Sequence, residues 1–253
     1  MALLPTLRNA KVHTAWFIGD SVLMQVAFAW GCRARVESRG VAWQWRRPPW
    51  AFLKNEKAAG GVNCASHATQ PHRVCFITAV AHGKSPSLTQ TLRALMQRQL
   101  TRSTDIAIVM GDKWNVENVT RQEEYAEKLL DLVRQAPPTL PRVIHFESLA
   151  AHFPTRDGWW QPGLGDAVKC RALQHPDAPP MSISAPAAIL RRSATPAGLT
   201  TVEGTYAWSA GLAAAHPGPV PGKPSDCTHY CLSSGVADAL VTFAAHALAR
   251  SYP

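Results

Sequence analysis

The chain is poor in charge and has no long apolar run. Asp, Glu, Lys and Arg together make up only 17% of 253 residues, and apolar residues make up 46%. That balance excludes wholesale disorder and supplies material for a core. No stretch reaches the roughly 20 consecutive apolar residues that cross a bilayer, and Met1 to Lys11 lacks the apolar segment of a signal peptide. Internal repeats are absent. The net charge of +9 comes from 26 Lys and Arg against 17 Asp and Glu. It favours acidic partners, yet Arg33 with Arg35, Arg46 with Arg47 and Arg191 with Arg192 are its largest clusters. With no basic run of five or more, no nucleic-acid surface is expected. The length suits one domain.

The first half alternates strands and helices. Ala15–Ile18, Val74–Val80, Asp105–Met110 and Arg142–Phe146 read as strands. Between them, helices are expected from Ser21, over Ser87–Leu100, and from Thr120, where Glu123 completes a capping-box spacing and Pro137 and Pro138 stop the helix. Such alternation predicts an α/β fold with a mostly parallel sheet between two helical layers. The second half is different, because eleven of the 20 prolines lie between Pro154 and Pro224. Residues 154–225 are therefore expected as a Pro/Gly-rich loop region with one strand at Thr200–Trp208. Ser234–Arg250 closes the chain as an apolar-faced helix. One domain over 12–253 holds all of this.

Two segments carry chemistry. Gly19-Asp20-Ser21 puts a serine where the first strand meets a helix N-terminus, at the strand end where open α/β sheets gather their active sites. A plain N-cap serine is the simpler role for it. A nucleophilic serine needs a base and the base needs an orienting carboxylate. Asp226-Cys227-Thr228-His229 offers both, three residues apart, just before the last helix.

Together these segments resemble the SGNH/GDSL hydrolases, and the second narrows the resemblance. Asp226-Cys227-Thr228-His229-Tyr230-Cys231-Leu232 is similar to the signature of the PC-esterase family, which includes the plant trichome-birefringence-like polysaccharide O-acetyltransferases and the animal sialic acid O-acetyltransferase. Glu147 to Pro154, with Asp157-Gly158, looks like the family's segment ending in His-Phe, and His216-Pro217 resembles its His-Pro. The resemblance implies a three-layer SGNH-like α/β/α domain. It implies a serine-dependent O-acyl esterase or O-acetyltransferase acting on glycan esters, without a cofactor, with an acetyl donor as a partner in the transfer case. Ser21 would be the nucleophile, His229 the base and Asp226 its orienting carboxylate.

One departure concerns the oxyanion hole. Val109-Met110-Gly111-Asp112-Lys113-Trp114 stands where plant members have Asn-Thr-Gly-His-Trp-Trp, so an apolar residue takes the Asn place. Backbone N–H groups of Ser21 and Gly111, or the Asn115 side chain, are the substitutes, with Gly61 and Gly83 as further candidates. Loss of one such donor costs about 10² to 10³ in rate in other enzymes. A catalytically inactive glycan-binding relative is therefore the first alternative.

Family members work in the secretory lumen. That implies disulfides at Cys227 and Cys231, with Cys170 as partner of one, and makes the chain a luminal, Golgi-type portion with a sequon at Asn118-Val119-Thr120. The second alternative starts from Cys64-x-x-His67 and His72-x-x-Cys75, whose residue types suit zinc in a basic, nucleic-acid-binding module. A Cys64 to Cys75 disulfide is the competing reading. Trp43, Trp45, Trp50, Trp159 and Trp160 are either sugar-stacking platforms or packing residues.

Overall fold

A computed structural model of the chain describes residues 2–38, 43–46, 62–67, 72–79, 87–110, 119–135, 137, 139–156, 158–159, 161, 163–164, 168–175, 179–192, 199–220 and 223–251. Among them, nine strands are β1 (Thr14–Gly19), β2 (Trp43–Arg46), β3 (Val62–His67), β4 (Arg73–Thr78), β5 (Ile106–Met110), β6 (Arg142–Phe146), β7 (Leu199–Val202), β8 (Gly218–Val220) and β9 (Lys223–Asp226). The α-helices are α1 (Leu3–Asn9), α2 (Ser21–Glu37), α3 (Leu88–Gln97), α4 (Val119–Arg134), α5 (Met181–Arg192), α6 (Thr205–Ser209) and α7 (Val236–Ser251).

Seven strands form one sheet in the order β2-β3-β4-β1-β5-β6-β7. From β4 to β7 every pairing is parallel, and β2 and β3 add an antiparallel edge. Strand β1 is buried along its whole length, as a central strand covered on both faces must be. Its alternate residues sort the core into two layers. Ala15 and Phe17 pack with α1, α2 and α7, whereas Trp16 and Ile18 pack with α3, α4 and α5. The fold is a three-layer α/β/α sandwich. Since β1 is flanked by β4 on one side and β5 on the other, the chain reverses its direction of winding there, and the crevice at the carboxyl end of β1 is the topological switch point.

Several expectations needed correction. The helix expected from Thr120 already contains Val119, so Thr120 lies in the first turn and is not its cap. Within the Pro-rich region, α5 forms around Pro186 in its second turn. The strand expected at Thr200–Trp208 ends at Val202; Gly204 turns left-handed at φ 77° and α6 follows. There Glu147 takes over the capping: its carboxylate accepts from the Tyr206 N–H at 3.3 Å, and its carbonyl from the Thr205 hydroxyl. Burial, ahead of these hydrogen bonds, raises the Glu147 carboxyl above its ordinary pKa.

Candidate active site

Ser21 owes its position to the turn that joins β1 to α2. Asp20, 5% exposed, is the N-cap of α2, and its Oδ1 accepts from the backbone N–H of Val22 at 2.9 Å and of Leu23 at 3.2 Å. The turn is tight at Gly19, where a Cβ would lie 2.9 Å from Leu23 Cδ2 and 3.3 Å from Leu23 Cβ. Ser21 therefore begins the helix right at the switch point.

From the other end of the chain, the turn after β9 brings Asp226 and His229 to Ser21. One oxygen of Asp226, Oδ1, accepts from the N–H of Thr228 at 3.1 Å and of His229 at 2.9 Å, an Asx turn that fixes the loop. The second oxygen, Oδ2, lies 2.7 Å from His229 Nδ1. A carboxylate only accepts, so Nδ1 carries the proton and Nε2 presents its lone pair. That lone pair faces the Ser21 hydroxyl, with Nε2 2.5 Å from Oγ. Partial burial alone would raise the Asp226 carboxyl; the His229 ring and backbone donors outweigh it and hold the group down at about 2. Asp226 is thus an anion at neutral pH.

Gln25 ties the two ends together and was not legible in the sequence. One turn beyond Ser21 on α2, its amide donates to the Tyr230 carbonyl at 2.6 Å and accepts from the Tyr230 N–H at 3.2 Å. Tyr230 is buried, its phenol pushed up by burial, and its hydroxyl donates to the Ala150 carbonyl at 2.7 Å. The Cys170–Cys227 disulfide closes the turn from below, and Cys227 O accepts from the His152 N–H at 2.9 Å. His152 and His216, from the two segments of the middle region that resemble the family, lie buried behind His229. Gly158 holds the His152 segment close: at φ 79° it approaches Ala151 so tightly that a Cβ would sit 2.1 Å from the Ala151 carbonyl oxygen.

The other candidates separate from this site. Gly61, Gly83, Gly111 and Asn115 lie outside the described residues. Val109, expected to take the Asn place of the oxyanion segment, is fully buried in the layer with α3, α4 and α5 and so belongs to the core. Cys64 and Cys75 form a disulfide, which consumes both thiolates the zinc alternative requires, and His72 is buried with Nδ1 donating to the Val12 carbonyl at 2.8 Å. Cys231, expected in a disulfide, is free, because Cys170 takes Cys227. Trp159 is 7% exposed within a cluster around Ala150, Phe153 and Tyr206, so it packs and offers no platform. Trp43, Trp45, Trp50 and Trp160 have no described side chains. A cavity along β7 and α7, lined by Glu203, Trp208, Phe243, His246 and Arg250, includes no residue of the Ser21 site.

Compared with known proteins, the chain matches no family model and no curated protein. Among the described residues, no helix is long and apolar enough to cross a membrane.

Proposed function

We propose that the protein is a serine-dependent O-acyl esterase or O-acetyltransferase of the SGNH/GDSL type, acting on carbohydrate esters. The reading rests on one observation: Ser21, His229 and Asp226 are hydrogen-bonded in series at the switch point of a parallel sheet. His229 Nε2 takes the proton from Ser21 Oγ as the oxygen attacks the ester carbonyl. Collapse of the tetrahedral adduct releases the alcohol, which receives that proton, and leaves Ser21 acylated. His229 next deprotonates water or a sugar hydroxyl, whose attack frees the serine. Asp226, ionised, keeps the tautomer and stabilises the imidazolium formed in each half.

The oxyanion needs donors. Asp20 occupies the Val22 and Leu23 N–H groups, which leaves the Ser21 N–H as the first-turn donor beside the hydroxyl. The heptapeptide from Asp226 to Leu232 and the segments around His152 and His216 support assignment to the PC-esterase family, and with it a glycan ester as substrate, an acetyl donor in the transfer case and the Golgi lumen as compartment. Two disulfides fit an oxidising compartment of that kind. Purified protein is expected to hydrolyse an aryl acetate, and Ser21→Ala to abolish the turnover. Activity equal in wild type and Ser21→Ala would refute the reading. Sugar acetylation, followed by mass spectrometry with an acetyl donor and candidate acceptors, separates transfer from hydrolysis.

A further inference from the structure

We propose that His152 and His216 share one extra proton, and that this buried cationic pair holds the backbone of His229 in register with Ser21. His152 Nε2 lies 2.9 Å from the Ala210 carbonyl oxygen, and His216 Nδ1 lies 2.5 Å from the His229 carbonyl oxygen. Carbonyl oxygens only accept, so each of these ring nitrogens carries a hydrogen. The two remaining nitrogens, His152 Nδ1 and His216 Nε2, face each other at 2.6 Å. Without a proton between them, two lone pairs would oppose. The chain Ala210 O, His152, His216, His229 O therefore needs three N–H hydrogens, whereas two neutral imidazoles supply two. The pair carries a charge of +1.

Burial makes that charge costly, since His152 is 0% and His216 7% exposed. Its surroundings offset the cost. The Tyr230 ring lies against His216 with centroids 4.3 Å apart and planes tilted by 32°, a face that attracts a cation. Tyr230 also meets His152 edge-on at 6.3 Å. Among the described residues, the titratable groups on the elements packed against the pair include Tyr230, neutral with its phenol bonded to Ala150, Tyr206 of α6, Glu147, which bonds to the start of α6, Cys231, whose N–H donates to the Ala215 carbonyl, and the Asp226 and His229 pair. Arg171 contributes its backbone N–H to His152 O, and its side chain is exposed.

The consequence falls on His229. Its N–H is held by Asp226 Oδ1 and its carbonyl by a charged donor, so both edges of the residue are fixed around the ring that faces Ser21. His152 and His216 do not touch the reacting atoms and are positioning residues. The catalytic part of this inference rests on the acyl-serine reading; the proton count does not.

Two variants of one residue separate positioning from bulk stability. The Asn amide nitrogen lies near the place of imidazole Nδ1, so His216→Asn keeps a donor for the His229 carbonyl. His216→Gln instead places its amide near Nε2, toward His152, and removes that donor. With an aryl acetate, His216→Gln is expected to lower kcat by about tenfold or more at nearly unchanged KM, and His216→Asn to recover to within about threefold of wild type. Equal losses in both variants would overturn the positioning role. Nitrogen NMR of histidine-labelled wild type at pH 7 tests the proton count without activity. Three N–H hydrogens over the two rings are expected; one on each ring would overturn the shared proton. If wild type shows no turnover, the acyl-serine reading falls, and the NMR result alone decides the pair.

Discussion

The serine and the histidine of the proposed triad come from halves of the molecule built on different principles. Ser21 stands on regular structure: a fully buried central strand, an aspartate cap and a 17-residue helix. Asp226 and His229 stand on a region with short elements, where order comes from cross-links: the disulfide to Cys170, the Asx turn of Asp226, the Gln25 amide on Tyr230 and the histidine pair behind the loop. A parallel sheet positions one residue per strand end without further help. A loop that carries the proposed base and its carboxylate needs its own fastenings, and the buried His152 and His216 serve as two of them, through Cys227 O and His229 O.

The contrast can be broken from either side. The largest effect is expected from Asp226→Asn, which keeps the shape of the turn but no longer fixes the His229 tautomer. The rate on an aryl acetate should fall by about 10³ to 10⁴ in a protein that still folds, with a lower melting temperature because the contribution of the ionised carboxylate is lost. Next comes the disulfide. Cys170–Cys227 closes a 57-residue separation and Cys64–Cys75 one of 11 residues, so loop-closure entropy assigns them about 4 and about 3 kcal/mol. Chemical denaturation of Cys170→Ser with Cys227→Ser should show the larger loss, accompanied by loss of activity; Cys64→Ser with Cys75→Ser should lower stability with activity retained.

Acid separates the regions as well. His145, in β6, is fully buried, and burial lowers its imidazole to about 4 against an ordinary value near 6.5. The unfolded chain binds the extra proton first, so the sheet has its full stability above about pH 6.5 and loses up to about 3 kcal/mol as the pH falls to about 4. Asp226 is held down at about 2, so its contribution is complete above about pH 4 and is lost only as the pH falls through 2. Denaturation midpoints measured between pH 7 and 4.5 should therefore fall in wild type and stay flatter in His145→Gln. The smallest effect is expected from Gln25→Ala. Removing the link between the halves should lower the rate about tenfold, with a stability cost of about 1 kcal/mol, read by kcat and thermal melting.

Periodicity made the scaffold legible. The strands read at Ala15–Ile18, Asp105–Met110 and Arg142–Phe146 match β1, β5 and β6 to within a residue at each end, because buried parallel strands are short apolar runs with clear boundaries. Ser87 caps α3 with Gln90 in a capping box. The irregular half was not legible in this way. Pro186 argues against a helix locally, yet α5 forms because Ile183, Ala187 and Leu190 bury against the core. Helix α1 is too short for a period to register, and its Leu3 and Leu4 N–H groups are capped by Glu37, far away in sequence. In the site, Ser21, Asp226 and His229 could be read because their spacing and flanking residues are specific. Gln25 could not, since a glutamine on a helix carries no signal until Tyr230, 205 residues away, is placed beside it.

Mass spectrometry of the protein after brief reaction with a fluorophosphonate tests the central claim most directly. A single adduct on Ser21 is expected, absent in His229→Ala and formed about 10³ to 10⁴ times more slowly in Asp226→Asn. An adduct on another residue, no adduct, or equal rates in all three proteins would contradict a triad of Ser21, His229 and Asp226.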